Sequence, residues 1–463
     1  MNNPSISLAN PDNNKIDVVE KVAIGLITLG LFILAISLFN FKLNSFVFLP
    51  ISLGSIFIGT IIFSRRKYLT QLPGIKNNGV WTNSLSARGI IGWSVGVILT
   101  SFYVLIYWFP AVLGLGENGA SNSGLVALFD PLSLFLNGKV ASQWFVYGTL
   151  YTLCILALGY KFILKYRHSR YQIIRTIVVM ISQLFFAYLI PEILEGLNNE
   201  QAYFAKDVKN MWPLNYYFFD AWHIDNMKSS GTMGMIYLVW GILLFLVVTP
   251  IITYLVGKRW YCSFVCGCGG LAETAGDSFR HLSSKKVSAW RFERYMIHGV
   301  LVFAIVMTGA VLYNYFTNTT TILGLDTYTW LRQPYGFLIG ATFSGVIGVG
   351  FYPMLGSRVW CRFGCPLAAY MGIFQRFKSR FRITTNGGQC ISCGNCSNSC
   401  EMGIDVRSYA QKGENIVRAS CVGCGICSAV CPRGVLKLEN GPEEGRISNS
   451  PIIIGNNSIK VEL

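Results

Sequence analysis

Charged side chains are scarce in this chain of 463 residues, because Asp, Glu, Lys and Arg together make up only 13% of it. Ordinary soluble domains contain roughly 25% charged residues. Hydrophobic residues reach 52%, and the mean hydropathy is +0.46. The composition therefore excludes a typical water-soluble globule and indicates a protein that contacts lipid.

Acidic residues are the rarer charged class, with 22 Asp and Glu against 38 Lys and Arg, which gives a formal net charge of +16. Such an excess commonly indicates nucleic acid or an anionic membrane surface as partner. Residues 383–463 contain seven basic and seven acidic residues, so the whole excess lies in residues 1–382. Because it is concentrated in loops between apolar runs, it indicates membrane topology, and we expect no nucleic-acid partner.

Histidine is also rare, and all four histidines lie in loops or near the ends of apolar runs: His168, His223, His281 and His298. A haem buried in a bilayer usually needs axial histidines inside the spans, so we expect no haem. The spans carry almost no ionisable residues that could line an ion path. This weighs against one of the functional classes considered for the chain, a transporter with a redox regulatory domain.

Eight apolar runs are long enough to cross a hydrocarbon core of ~30 Å, which takes about 20 residues. They lie near 22–39, 46–63, 90–109, 145–164, 174–193, 233–256, 296–315 and 335–355. Each is expected to be helical, because backbone groups in lipid need partners within the segment. The first run lacks a small-residue cleavage site, so we expect a retained span rather than a signal peptide.

Basic residues also orient the chain, because Lys and Arg are retained on the cytoplasmic side. Thirty-two of the 38 fall on one side of the predicted spans, so both termini are expected to be cytoplasmic. The predicted fold class is an all-α polytopic membrane protein with a C-terminal two-cluster ferredoxin-like α+β module. The predicted parts are a cytoplasmic N-terminus 1–21, a five-helix region 22–232, a three-helix region 233–382, a ferredoxin domain 383–437 and a flexible tail 438–463.

The strongest motif is a run of four cysteines that occurs twice, with the spacing Cys-x2-Cys-x2-Cys-x3-Cys of two-cluster bacterial ferredoxins. In that spacing the fourth cysteine ligates the other cluster. Cluster one is therefore predicted to use Cys390, Cys393, Cys396 and Cys431, and cluster two Cys421, Cys424, Cys427 and Cys400. A zinc ribbon would leave the third cysteine of each triplet idle, so 4Fe–4S clusters are favoured over zinc. The motif departs at Glu401, where proline usually follows the fourth cysteine.

A second motif, Arg-x-aromatic-Cys-x-Phe-x-Cys, also occurs twice, at the cytoplasmic ends of the sixth and eighth runs. It supplies Cys262 and Cys266 in the first copy and Cys361 and Cys365 in the second. Four thiolates at one place could hold a further iron–sulfur or thiolate metal site. The alternative is that they are packed thiols without a metal. Cys268 adds a fifth thiol beside the first copy, which leaves the choice of four ligands open, whereas lone Cys154 is expected to be a small buried residue.

The two motifs together resemble the membrane polyferredoxins of the NapH and NosR type, with the CcoG cytochrome-oxidase assembly proteins as relatives. The resemblance covers about residues 233–438. It implies electron transfer, often from the quinol pool, to a periplasmic reductase or to its maturation system, in a bacterial inner membrane. A covalent flavin is expected in the NosR branch, but no outer loop contains a Ser-Gly-Ala-Thr attachment motif, so we expect none here.

The predicted function is iron–sulfur electron transfer between quinone or a partner subunit and cytoplasmic-side clusters, as a component of a respiratory system rather than a stand-alone enzyme. The alternative is an electron-donating maturation factor for a copper or haem-copper enzyme. Expected partners are membrane lipids, quinone or quinol, and respiratory or maturation proteins. No catalytic residue is assigned. The candidates for accepting quinol protons are His223 with Asp220 and Asp225, Glu192 with Glu195, and His298 with Glu293.

A basic amphipathic stretch from Gln375 to Arg382 follows the last apolar run and is predicted to form a helix at the lipid interface.

Overall fold

A computed structural model describes residues 16–39, 41, 44–69, 89–116, 120–198, 202–257, 259–386, 389–440, 452–454 and 459–461. Within these residues, seven helices are long and apolar enough to cross a membrane. In chain order, membrane helices one to seven are Val18–Ser37, Ser45–Leu69, Ile90–Trp108, Gln143–Lys165, Arg170–Leu197, Gly231–Leu255 and Val287–Thr317. The predicted class, a mainly helical membrane protein, is confirmed.

The eighth predicted run is helical as well, but with mixed geometry. Its consecutive pieces alternate between π and α turns: Tyr328–Arg332, Gln333–Tyr335, Gly336–Ile347 and Gly348–Gly350. Shorter helices connect the membrane helices or build the C-terminal part: Pro110–Leu113, Gly124–Asn137, Ala221–Ser229, Trp260–Phe264, Gly267–Thr274, Ala275–Leu282, Tyr352–Leu355, Trp360–Gly364, Pro366–Lys378, Asn395–Asn398, Val406–Lys412 and Ile426–Ala429.

Small residues allow the first two membrane helices to cross closely, as is common between helices in lipid. A methyl group at Gly30 would lie only 2.5 Å from the carbonyl oxygen of Ser52. The Ser52 hydroxyl donates to the Gly30 carbonyl over 2.9 Å. At the N-terminal end of the first helix, Asp17 caps the helix and forms a 2.7 Å ion pair with Arg66 of the second.

Within the described ranges, sheet structure is limited to short antiparallel pairs: Thr321–Ile322 with Leu325–Asp326, Phe381–Thr385 with Leu436–Asn440, and Ile452–Ile454 with Ile459–Val461. The predicted interfacial helix 375–382 is wrong in its second half, because the helix ends at Lys378 and a strand begins at Phe381. That strand pairs with residues that lie 51 to 59 positions further along the chain, which local periodicity does not show. Most of the predicted tail, residues 438–463, lies outside the described residues.

The loop between the fifth and sixth membrane helices enters the helix bundle. The sulfur of Met211 in this loop lies 3.5 Å from the hydroxyl oxygen of Thr249. Thr249 is 18 residues along the sixth helix from Gly231, which corresponds to about 27 Å at 1.5 Å per residue. The indole of Trp240 also donates to the Val208 carbonyl over 2.7 Å. Residues 207–215, called here the inserted loop, therefore approach the far end of the sixth helix.

Candidate functional site

The structure brings the eight cysteines of the ferredoxin motifs around two cavities. One, the cluster-one cavity, is lined by Cys390, Cys393, Cys396 and Cys431. The other, the cluster-two cavity, is lined by Cys400, Cys421, Cys424 and Cys427. Each cavity thus receives three cysteines from one motif and the fourth from the other. Within the described residues, no three His, Cys, Asp or Glu side chains converge as they would around a single metal ion.

Local backbone geometry explains how each cysteine triplet bends around its cavity. Gly394 has φ 78° and Gly425 has φ 69°, in the left-handed region that glycine adopts readily. Each of these glycines precedes a single short helix that carries the third cysteine, Cys396 or Cys427. The donor set and the turns fit 4Fe–4S clusters, because four thiolates on tight loops are the ligands such clusters need.

The loop of residues 418–424, called here the cluster-two loop, is held against the membrane region through its carbonyl groups. Tyr171 donates to the carbonyl of Gly423 over 2.9 Å, and the Gln172 amide donates to that of Cys424 over 2.6 Å. The Ser263 hydroxyl likewise donates to the Val422 carbonyl over 2.6 Å. These bonds satisfy buried carbonyl groups that would otherwise cost free energy. They fix the cluster-two cavity to the membrane helices.

The cysteines of the duplicated Arg-x-aromatic motif also meet, at what is called here the thiol site. Cys262, Cys266, Cys361 and Cys365 are all buried and belong to one apolar cluster. The same cluster includes Cys396, Cys421 and Cys427, and five further cysteines pack against it: Cys268, Cys390, Cys400, Cys424 and Cys431. Twelve of the 14 cysteines therefore share one continuous interior, from which Cys154 and Cys393 are absent.

Two arginines fasten the two halves of the thiol site together. Arg259, from the first copy of the motif, donates to the carbonyl of Cys361 over 3.1 Å. Arg358, from the second copy, donates to the carbonyl of Cys262 over 3.3 Å. Arg259 also donates to the carbonyl of Ala419, a residue of the cluster-two loop, over 3.0 Å. The thiol site and the cluster-two cavity are therefore bridged by one side chain.

Cys268 lies next to Cys266 and affects its ionisation. A hydrogen bond from the Cys268 thiol, together with the Lys209 ammonium, lowers the pKa of Cys266 despite its burial. Lys209 belongs to the inserted loop, whose backbone is fixed at this point because Tyr261 donates to the Lys209 carbonyl over 2.7 Å. The inserted loop thus brings a positive charge to the thiol site from the other end of the sixth helix.

Glu401, the departure from the ferredoxin motif, occupies the centre of a buried charge network. Its carboxylate forms ion pairs of 2.8 Å with Arg280 and 2.9 Å with Arg358, and all three side chains are fully buried. Burial alone raises the pKa of Glu401, but Arg280, Arg358 and Arg175 outweigh it and hold this pKa below its ordinary value. Glu401 therefore stays charged and connects Cys400 of cluster two to the arginine of the thiol site.

The network extends to the membrane helices through a second carboxylate. Asp277 accepts hydrogen bonds from Lys165 over 2.6 Å and from Arg280 over 2.8 Å. A further buried ion pair joins Arg175 to Glu273. Sequence reasoning did not identify these residues as part of the site. Their signal in the sequence was the presence of acidic residues in the short segment that follows Cys268.

Six of the seven residues considered as quinol proton acceptors have a hydrogen-bond or ion-pair partner, and the seventh, His298, lies in the seventh membrane helix. Asp220 forms a 2.7 Å ion pair with Arg332, and the ring of His223 contacts the Phe218 carbonyl at 3.1 Å. Others pair across elements: Asp225 with Tyr315, Glu192 with Asn137, Glu195 with Lys139 and Lys206, and Glu293 with Arg362. These contacts give the residues roles in packing, and no catalytic assignment is made.

Fold and site together define a membrane protein with iron–sulfur domains of the ferredoxin type. The family described as 4Fe-4S dicluster domain matches residues 389–436, and that described as 4Fe-4S binding domain matches residues 238–288 and 337–384. The second match covers both copies of the thiol-site motif. The ferredoxin-type character predicted from the cysteine spacing is confirmed.

Among curated proteins, the chain is similar to the putative electron transport protein YccM of Escherichia coli strain K12. The two are 26% identical over 193 residues, which are 40% of this chain and 53% of YccM. It is also 29% identical over 155 residues to the methylamine utilization ferredoxin-type protein MauN of Paracoccus denitrificans, covering 32% of this chain and 49% of MauN. The chain thus spans about half the length of these relatives. No solved structure matches it.

Both relatives carry names of redox proteins, and the resemblance to membrane polyferredoxins is confirmed at that level. The chain thus combines 4Fe-4S domains of the ferredoxin type with membrane helices.

Proposed function

We propose that this protein carries electrons between 4Fe–4S clusters on the cytoplasmic side of a bacterial inner membrane and either the quinone pool or a partner subunit, in the service of a respiratory reductase. The observation that carries the proposal is the single apolar interior shared by cysteines of both ferredoxin cavities and of the thiol site. A continuous packed interior keeps the three sites in fixed relative positions and shields the thiol site and the cluster-two cavity from water.

The proposed ligands follow the cavities. Cluster one is assigned to Cys390, Cys393, Cys396 and Cys431, and cluster two to Cys400, Cys421, Cys424 and Cys427. A third cluster or thiolate-bound metal is assigned to Cys262, Cys266, Cys361 and Cys365, with Cys268 beside it. When bound, such clusters supply one-electron transfer without proton chemistry of their own.

The side chains around the proposed clusters hold charge and geometry. Five buried basic residues surround three buried carboxylates in the network near cluster two: Lys161, Lys165, Arg175, Arg280 and Arg358 against Glu273, Asp277 and Glu401. This positive excess suits anionic thiolate clusters, which would otherwise be costly to bury. Arg259 and Arg358 hold the thiol site and the cluster-two loop in register.

The proposed topology has several membrane crossings with both termini in the cytoplasm. Its support is the concentration of Lys and Arg in loops on one side. The ferredoxin module is proposed to span residues 383–437, on the same side as both copies of the thiol-site motif. The inserted loop comes from the other side, and its contact with Tyr261 supports electron exchange with a quinol or partner there.

Iron and sulfide analysis of anaerobically purified protein tests the proposal. Three cubane clusters predict about 12 iron and 12 sulfide per chain, at four of each per cluster. A Cys361→Ser, Cys365→Ser variant should retain about eight of each, because it removes only the third site. Cys154→Ser is the matched control and should keep the wild-type content, because Cys154 lies outside the shared interior.

Two results would contradict parts of the proposal. Unchanged iron in the double variant would exclude the third cluster, and stoichiometric zinc without sulfide would exclude iron–sulfur electron transfer altogether. The electron path is tested separately in membrane vesicles, where reduced quinol should produce the EPR signals of reduced clusters. Clusters that are neither reduced by quinol nor, after reduction by dithionite, reoxidised by quinone would exclude the quinone pool and leave a partner subunit.

A further inference from the structure

The two ferredoxin cavities differ in their access to solvent. Every residue that lines the cluster-two cavity is buried or half-buried. The cluster-one cavity has an exposed rim, formed by Ile391, Ser392, Cys393, Arg407, Pro432 and Arg433. Because Cys393 is a proposed ligand, a protein docked on this rim would contact the immediate surroundings of cluster one. A soluble protein can therefore approach cluster one more closely than cluster two.

The exposed rim carries both apolar and positively charged side chains. Ile391 exposes 54% of its surface, and Pro432 is exposed beside it. Arg407 and Arg433 are both exposed, and no acidic residue is among the described residues that line the cavity. An apolar contact surface that carries positive and no negative side chains favours a partner with an acidic contact surface.

The orientation of the ferredoxin module leaves this rim available. Its contacts with the membrane helices involve the cluster-two loop, whose carbonyl groups accept hydrogen bonds from Tyr171 and Gln172 of the fifth membrane helix. The side of the module near cluster two therefore faces the membrane region. The rim belongs to the other cavity, which favours a partner from solution over a lipid surface.

We propose that the exposed rim is the docking surface for a soluble electron-transfer protein, a small flavin or iron–sulfur protein with an acidic surface around its own cofactor. This inference rests on the proposed function and adds a partner to it. In the exchange, one electron leaves the reduced cofactor of the partner and is taken up at cluster one. No bond is formed or broken, and no proton is transferred.

Stopped-flow reduction by a dithionite-reduced, desalted plant-type ferredoxin, a small acidic protein, tests the proposal on the full chain in detergent. For the wild type we expect the second-order rate to fall steeply with ionic strength, as in electrostatically steered association. An Arg407→Ser, Arg433→Ser variant should react about 10-fold more slowly at low salt, with the difference disappearing near 0.5 M salt. Arg376→Ser, at an exposed arginine outside the cavity, should react like the wild type.

Several outcomes decide the matter. Iron content and direct reduction by dithionite must be unchanged in the double serine variant, and Arg407→Lys, Arg433→Lys should restore the rate because it keeps the charge. An equal rate in the serine variant and the wild type, or an equal loss in Arg376→Ser, would overturn the proposal. So would a serine variant that loses binding only to vesicles of anionic lipid, since that result would assign the rim to the membrane. Failure of quinol reduction in vesicles would leave this rate unaffected, so the two proposals fail separately.

Discussion

Arg358 donates a hydrogen bond to the carbonyl oxygen of Cys262 over 3.3 Å, although 96 positions separate the two residues. The duplicated motif repeats this contact in the other direction, from Arg259 to the carbonyl of Cys361 over 3.1 Å. Each arginine is held by the opposite copy, so the two copies form one site with approximate twofold symmetry. This reciprocity explains why both copies carry an arginine three residues before their first cysteine.

Replacing Arg358 is expected to damage both the thiol site and the cluster-two region. Arg358→Met removes the bond to Cys262 and one of the two ion pairs of the fully buried Glu401. Breaking a buried pair by removing one partner costs about 3–5 kcal/mol. We expect a lower thermal unfolding midpoint in detergent and about one third less iron, measured on the same preparation.

The double variant Arg358→Met, Glu401→Met separates charge from packing. Removing both partners also takes away the carboxylate that has lost one of its two arginines, so the unfolding midpoint should recover a large part of the loss. Arg376→Met, at an exposed arginine, serves as the control and should change the midpoint little. If Arg358→Met were as stable as this control, the buried network would not hold the site together.

Removing the Ser263 hydroxyl should loosen cluster two without touching its ligands. Ser263→Ala leaves the buried carbonyl of Val422 without its donor, which costs about 1–3 kcal/mol. We expect faster loss of iron to a chelator, with the EPR signal of one cluster decaying first. Ser428→Ala is the matched control, because Ser428 donates to Leu436 within the ferredoxin module and makes no bond to the membrane region. Equal iron loss in the two variants would show that attachment to the membrane helices does not protect the cluster.

Local sequence patterns predicted the membrane helices and the grouping of the ferredoxin cysteines. Apolar length is a property of a single segment, and the spacing of Cys390, Cys393 and Cys396 determines how one short loop turns. The structure brings these residues together with Cys431, although the cluster ligation itself stays a prediction. The duplicated Arg-x-aromatic motif likewise indicated that two distant segments form one site.

Contacts between distant segments could not be predicted from these patterns. The strand that begins at Phe381 depends on its pairing with Leu436–Asn440, and the inserted loop depends on the space between the sixth and seventh membrane helices. The sequence marked Glu401 only as a departure from a motif. Its role follows from two arginines that lie 121 and 43 positions earlier in the chain, and no local rule connects them.

Asp277 is expected to make the free energy of unfolding depend on pH within a defined acidic range. Burial alone raises its pKa, but Lys165, Arg280 and Lys161 outweigh burial and hold the pKa well below its ordinary value. The folded protein then binds fewer protons at this site than the unfolded chain does. Its contribution is therefore complete above the ordinary pKa of about 3.9 and is lost as the pH falls below it.

Thermal unfolding of Asp277→Asn between pH 8 and pH 3.5 measures this contribution. At neutral pH the variant should be less stable by about 3–5 kcal/mol, because it leaves Lys165 and Arg280 without their buried carboxylate. The gap to the wild type should stay constant down to about pH 5 and narrow below about pH 4. Glu414→Gln, at an exposed residue, reports the acid sensitivity of the clusters common to all variants. A gap that widens in acid would contradict the assignment.

Lys209 is expected to set the reduction potential of the thiol site. Its ammonium lies near Cys266 and Cys268, where burial lowers its pKa but Asp207 and the two thiols outweigh burial and raise the pKa. A positive charge beside a thiolate-bound cluster stabilises the reduced, more negative state. Lys209→Met should therefore shift the midpoint potential of the third signal in an EPR redox titration to more negative values. The potentials of clusters one and two should shift less, because Lys209 approaches the thiol site from the inserted loop.

Lys228→Met is the control, since Lys228 pairs with Tyr315 on an exposed surface. The midpoint potentials of this variant should equal those of the wild type. An unchanged third potential in Lys209→Met would show that the inserted loop packs beside the thiol site without tuning it.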